Sequence, residues 1–189
     1  TVKNFALTNV DFDLTNTGDN GLYAARIAPI ASWVLSGSSV ENVYVSVESY
    51  NRFAPAFSKI SGFAYCVDIG ATLSNIVIDD TYTGTDTATY RGSLVYRKMA
   101  NQATTENNWK NVVVISKFKL ATAETNKYDA SNVTSDGYAQ MPNTYRYESV
   151  TAWETAQADT NVTAKPSVDL FTSYWHTVNG VPVWGKETV

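Results

Sequence analysis

The sequence predicts an all-β chain, a parallel β-helix (solenoid) ended by a C-terminal capping hairpin region, on three observations. These are a β-type composition, a short motif recurring at near-constant spacing, and an Asn-Gly turn between two apolar runs near the end. A chain of 189 residues is long enough for one domain with a sizeable core. Tyr (12), Phe (7) and Trp (5) are frequent while only 17% of residues are charged, and Thr, Ser, Asn and Val fill much of the rest. Rings and β-branched side chains suit a pleated, half-buried surface, so strands are expected throughout.

The motif is apolar, polar, Asn, apolar, variable, apolar. It stands at Val2–Leu7, Val40–Val45, Leu73–Ile78 and Trp109–Val114, with Asn4, Asn42, Asn75 and Asn111 separated by 38, 33 and 36 residues. That spacing falls in the range of repeat architectures. If the repeats stack as neighbouring strands, each Asn can exchange amide hydrogen bonds with its equivalents above and below, giving a structural Asn ladder. The plainer alternative is that each Asn is a turn-former preceding a strand.

Between anchors lies a second apolar element, often opened by glycine: Gly21–Ile30, Gly62–Val67 and Gly92–Tyr96. Thr, Asn, Asp and Gly crowd the segments Leu14–Asn20, Ser36–Ser39, Asp79–Asp86 and Asn101–Asn108, which have turn chemistry and read as corners and loops. Residues 1–120 therefore form the repeats, and 121–189 an irregular, capping segment of the same domain. Within it Thr151–Asp159 is the most helix-compatible stretch, expected to pack across the open end of the stack. Val168–Trp184, with Asn179-Gly180 at its centre, reads as a hairpin that covers the last apolar face.

The anchors with their glycine-led apolar strands resemble the GLUG-type repeats and related right-handed β-helix repeats of large bacterial surface proteins. The matching residues are Asn4, Asn42, Asn75 and Asn111 with Gly21, Gly62 and Gly92, and Tyr174 to Trp184 looks like the closure of such domains. Single glycines stand where those repeats carry pairs, and Arg91 precedes Gly92. The resemblance implies a right-handed coil and an exported, extracellular, cell-surface or virion-surface module with no catalytic residues to transfer.

Several classes of function are disfavoured by composition. Lys and Arg total 14 against 18 Asp and Glu, a net charge of −4 with no basic run, so nucleic acid is not an expected partner. No stretch approaches the ~20 apolar residues of a membrane span, so membrane insertion is not expected. The one cysteine, Cys66, excludes an intrachain disulfide and a Cys-based metal site, and reads as a small buried hydrophobe. The chain opens in mid-strand without Met and reads as a piece of something longer.

The one histidine, His176, lacks the partners of a triad or a multi-His metal site and reads as a packed or exposed cap residue. Asp11 with Asp13, and Asp79 with Asp80, are the carboxylate pairs that a polysaccharide lyase or hydrolase would need, although Asp is also at home where strands run into turns. No cofactor is expected. Asp79, Asp80 and Asp86 have the oxygen count for Ca²⁺ but no EF-hand or nonapeptide pattern. Two sequons, at Asn132 and Asn161, are of the kind that arises often in Thr-rich chains.

Ten aromatics, Tyr44, Tyr50, Tyr82, Tyr90, Tyr96, Trp109, Tyr138, Tyr145, Tyr147 and Trp153, exceed what a narrow interior can hold. Exposed rings beside Asn, Asp and Arg suit a sugar-binding groove, whereas cross-strand packing is the alternative. Tyr145, Arg146, Tyr147 and Trp153 are the expected contact patch. The function expected is a non-enzymatic display module that contacts a surface glycan or a protein. The alternatives are the polysaccharide-degrading enzyme and a purely structural phage head or tail-fibre element, for which a homo-oligomer is expected.

Overall fold

The computed structural model describes residues 1–13, 26–51, 59–68, 70–80, 91–92, 95–98, 108–116, 143–171 and 174–185. The described strands are β1 (Val2–Asp13), β2 (Arg26–Ile27), β3 (Ala31–Val34), β4 (Ser39–Asn51), β5 (Lys59–Ser61), β6 (Ala64–Val67) and β7 (Thr72–Asp80). They continue as β8 (Arg91–Gly92), β9 (Val95–Lys98), β10 (Asn108–Ser116) and β11 (Thr144–Tyr147). Helix α1 (Val150–Ala158) follows, then strands β12 (Trp175–Val178) and β13 (Val181–Trp184). A five-stranded parallel sheet runs β1-β4-β7-β10-β11, and two short parallel sheets run β2-β5-β8 and β3-β6-β9. The β12-β13 pair is antiparallel.

This corrects the expected all-β, right-handed parallel β-helix. The described residues are mostly β, but they include an α-helix and an antiparallel hairpin beside the parallel sheet, and they show no solenoid coil, so the arrangement is closer to an α/β type. The physical reason lies in the five-stranded sheet, which is apolar on both faces. Runs such as Ile76-Val77-Ile78 and Val112-Val113-Val114-Ile115 bury every residue. A parallel sheet of this kind needs cover on each side. One face, with Val43, Val45, Ile76, Ile78, Val112 and Val114, packs with Val34, Phe63, Ala64 and Val67 of the neighbouring strands and turns. The other, with Val77, Val113 and Ile115, is covered by Trp153, Phe171 and Val181. Helix and hairpin thus pack on the face of the sheet, whereas the helical stretch was expected across its end.

The recurring motif has a backbone cause. Asn4, Asn42, Asn75 and Asn111 all sit in the left-handed region, with φ of 61°, 52°, 53° and 52°. Asn tolerates this conformation better than most residues with a Cβ. A left-handed residue inside a strand shifts the in/out alternation by one. In β4, Val40 is buried, and after Asn42 the buried positions are Val43, Val45 and Val47. In β7, Leu73 is followed by Ile76 and Ile78. Apolar residues two before and one after the Asn therefore point to the same side, which is the spacing of the motif. The side chains join as well: Asn42 Nδ2 donates to Asn4 Oδ1 at 3.0 Å, Asn75 to Asn42 at 3.0 Å and Asn111 to Asn75 at 3.2 Å.

Turns repeat in step with the strands. Ser38 N–H donates to the Leu35 carbonyl and Ala71 N–H to the Asp68 carbonyl, at 3.0 and 3.2 Å. Gly37 and Gly70 take φ of 78° and 76° within these turns, and Gly37 N–H donates to the Gly70 carbonyl at 3.1 Å. A Cβ on Gly70 would lie 2.8 Å from Ser36 Oγ, so both conformation and space hold glycine there. The segment Ser36–Ser39 is thus a corner. Of the other expected corners, Leu14–Asn20, Asp79–Asp86 and Asn101–Asn108, the structure places Asp79 and Asp80 at the end of β7 and Asn108 at the start of β10, and the rest fall outside the described residues, as do 121–142 of the C-terminal segment.

Replacing Asn42 by Ala removes two amide hydrogen bonds, worth about 1 kcal/mol each, and puts a Cβ in a left-handed residue, which costs about 1 kcal/mol more. Denaturant unfolding of Asn42→Ala is expected to show a loss of about 3 kcal/mol, and Asn42→Gly about 1 kcal/mol less. Equal losses in the two variants would show that the left-handed backbone is not part of the cost.

Candidate functional site

Helix α1 starts at Ser149, whose Oγ accepts from Ala152 N–H at 3.1 Å, satisfying one of the unpaired donors of the first turn. Its far end is closed by Lys165, whose Nζ donates to the carbonyls of Gln157 and Asp159 at 2.8 and 3.1 Å. With both ends held, the helix aims Trp153 at the sheet, where its indole stacks on Tyr147 at 5.8 Å and 12°. The hairpin turns at Asn179-Gly180, both with positive φ (49° and 82°), the condition for a type I′ turn. Asn179 Nδ2 donates to Glu154 Oε1 at 3.0 Å, tying that turn to the helix.

Aromatic edges then fasten the hairpin to the sheet. Trp175 meets Phe171 and Trp184 edge-on at 5.0 Å each and Tyr44 of β4 at 6.3 Å, while Tyr174 stacks on Trp184 at 5.6 Å. His176 Nδ1 lies 2.9 Å from the Gly185 carbonyl. A carbonyl only accepts, so the proton sits on Nδ1, and the ring fixes the chain after β13.

Between helix, hairpin and sheet a cleft of about 330 Å³ remains. Its floor is the outward row of the sheet, Tyr44, Val77, Asp79 and Ile115. Val150 and Trp153 of the helix and Val181 to Trp184 of the hairpin form the walls, and Thr8 of β1 lies at the rim. The lining is largely apolar, with one carboxylate. Asp79 Oδ2 accepts from the Tyr44 hydroxyl at 3.3 Å, while among the described residues the buried Oδ1 has no hydrogen-bond partner. Burial, with the Asp79 charge second, pushes the Tyr44 phenol up to about 12. Burial, with Tyr145 second, does the same to Tyr147, and burial raises Tyr145.

The expected contact patch is redistributed by strand alternation. In β11, Tyr145 and Tyr147 share the outward face, register partners of Val113 and Ile115. Arg146 is the partner of Val114 in the opposite row, and its Nη2 donates to the Ser116 carbonyl at 2.9 Å. The structure thus brings Tyr147 and Trp153 together and separates Arg146 from them. Trp153 is only 1% exposed and borders the cleft as packing. Asp79 and Asp80 are split in the same way, Asp79 outward in the cleft and Asp80 fully buried. Asp11 is exposed on β1. Among the described residues no three His, Cys, Asp or Glu side chains could hold a metal ion, and Asp86 of the expected Ca²⁺ set lies outside them. No described helix is long and apolar enough to cross a membrane.

Three contributors were missed in the sequence. Asn143, another left-handed asparagine (φ 54°), precedes β11, and its Nδ2 donates to the Trp109 carbonyl at 2.8 Å. It is followed by Thr144 where the other anchors have an apolar residue, which hid the motif. The cleft walls Val150 and Pro182 were also missed. Their signal was the unbroken apolar runs of β7 and β10, which require a second cover that the aromatic-rich tail could supply. No family model, curated protein or solved structure matches this chain.

Both raised phenols favour the protonated, folded form. Their contribution to stability is complete below pH ~10, the unfolded value, and is lost as pH rises through about 12. Absorbance at 295 nm is expected to show a late-ionising class near pH 12 that shrinks by one tyrosine in each of Tyr44→Phe and Tyr147→Phe. Titration of all tyrosines near pH 10 would contradict the burial described.

Proposed function

We propose that this chain is a non-enzymatic binding and display module of a cell or virion surface, and that its contact site is the cleft over Asp79. The ligand that fits best is a basic side chain of a protein partner. The observation that carries this reading is the Asp79 Oδ1 atom, buried against apolar walls and, among the described residues, without a hydrogen bond. A carboxylate in that position favours an incoming donor or cation, and Tyr44 and Trp184 offer ring surface to the aliphatic stem that would carry it. The volume lies at the small end of ligand pockets, which typically span ~300–1,000 Å³, and suits one long side chain.

A glycan fits this cleft less well, because its hydroxyls need several polar partners and the lining supplies Asp79, Tyr44 and Thr8. The enzyme reading is weakened by the division of Asp79 and Asp80 between opposite faces, since glycoside hydrolysis needs two carboxylates flanking one bond. The surface address rests on the resemblance to GLUG-type repeat proteins and on the acidic, Thr- and Asn-rich composition.

Titration with n-butylguanidinium is expected to shift the indole resonances of Trp153 and Trp184 saturably. Asp79→Asn, which keeps an acceptor for Tyr44, is expected to weaken binding about tenfold or more, as does replacing the probe by neutral n-pentanol. Equal affinity for the neutral probe, or an unchanged affinity in Asp79→Asn with native near-UV circular dichroism, would remove the case for a basic ligand.

A further inference from the structure

We infer that the outer edge of β1, over Val2–Leu7, is a docking edge for a further parallel β-strand that carries the chain's own motif of apolar, polar, Asn, apolar, variable, apolar. The inference is independent of the cleft. It begins with the direction of the amide ladder. Each asparagine donates its Nδ2 to the Oδ1 of the one before it in sequence, so Asn4 accepts from Asn42 and, among the described residues, donates to nothing. The other end of the ladder is finished differently. Ser167 N–H donates to Asn111 Oδ1 at 3.0 Å, and Asn111 Nδ2 donates to the Ser167 carbonyl at 3.0 Å, so a backbone peptide takes the place of another Asn. One end is closed by the chain itself, and the other presents a donor in register with the ladder.

The apolar rows show the same asymmetry. Val43, Val45, Ile76, Ile78, Val112 and Val114 are fully buried, while their counterparts Phe5 and Leu7 in β1 are only partly so. Val2 is 46% exposed where its partner Val40 is 3% exposed. Among the described residues β1 pairs with β4 alone, which leaves one row of its backbone N–H and C=O groups to accept a strand. The length of that row is limited. The register with β4 shifts between Leu7 and Val10, and Asn9 is left-handed at φ 56°, a bulge that interrupts the pairing after Leu7 before regular pairing resumes from Asp11. The stretch before the bulge, Val2–Leu7, has the length of the motif. A strand with Asn opposite Asn4 and apolar residues opposite Val2, Phe5 and Leu7 accepts the Asn4 amide and covers the exposed end of the core. That arrangement repeats the β1–β4 interface one strand further out.

The test uses the intact, ¹⁵N-labelled chain and a synthetic peptide copying Ser38–Val47. Saturable binding is expected, with slowed hydrogen exchange of β1 amides within Val2–Leu7 and a shifted Asn4 side-chain amide. The peptide bearing Asn42→Ala is expected to bind about tenfold more weakly. Because that change is on the peptide, it leaves the folded chain untouched. No binding at millimolar peptide, or equal binding by the Asn42→Ala or a scrambled peptide, overturns the inference. So does self-association without peptide that protects the same β1 amides, which would assign the edge to a second copy.

Discussion

Register is the constraint on which this molecule depends. Its parallel strands are joined by long connections, so no tight turn sets the alignment of one strand on the next. A one-residue slip would also exchange the two faces of every strand. Both faces of the five-stranded sheet are buried, and a slip would place Asp79 or Ser46 where Ile78 and Val45 now pack. The left-handed asparagines prevent this. Each marks one position per strand by a backbone conformation that most residues resist, and the amide ladder makes those positions meet. The same residue thus bends the strand, resets its alternation and aligns it with its neighbours.

The second constraint follows from the first. Once Val77, Val113 and Ile115 are aligned on the outward face, they form an apolar surface that water would otherwise meet. The C-terminal residues cover it with large rings: Trp153 on a capped helix, Phe171 on the segment that links helix and hairpin, and Trp175 and Trp184 on a type I′ hairpin. Rings meet edge-on across the joint, so the cover is specific in geometry as well as apolar. The cleft lies where this cover stops short of β1, and Asp79 stands at its floor because it occupies an outward position of β7.

Much of this was legible from the amino acids. Four of the left-handed asparagines, the periodic pairing positions, the helical stretch at 151–159 and the Asn179-Gly180 turn are local signals that the chain carries openly. The overall class was not, because whether a set of parallel strands closes into a coil or receives a helix and hairpin on one face depends on which distant segments meet. The site was only partly legible for a similar reason. Tyr145-Arg146-Tyr147 looks like one cluster along the sequence, yet strand alternation divides it, and Asp79 with Asp80 is divided likewise. Tyr44 and Trp184 lie far apart in the chain and become neighbours only through the docking of the hairpin. Asn143 escaped notice because Thr144 breaks the apolar pattern, although the backbone there obeys the same rule.

The place of the aromatic cover in the chain bears on how the protein is made. Strands β7 and β10 leave the ribosome well before Phe171, Trp175 and Val181, so for that interval Val77, Val113 and Ile115 have nothing to pack against. Native pairing must also bring together residues some 30 to 40 positions apart, which slows folding relative to chains with local contacts. This sheet therefore stays incompletely covered until the helix and hairpin emerge, and an apolar face is open to chaperones or to other nascent chains during that time. A sheet built in this order receives its second cover only after the hairpin that follows it in sequence has emerged.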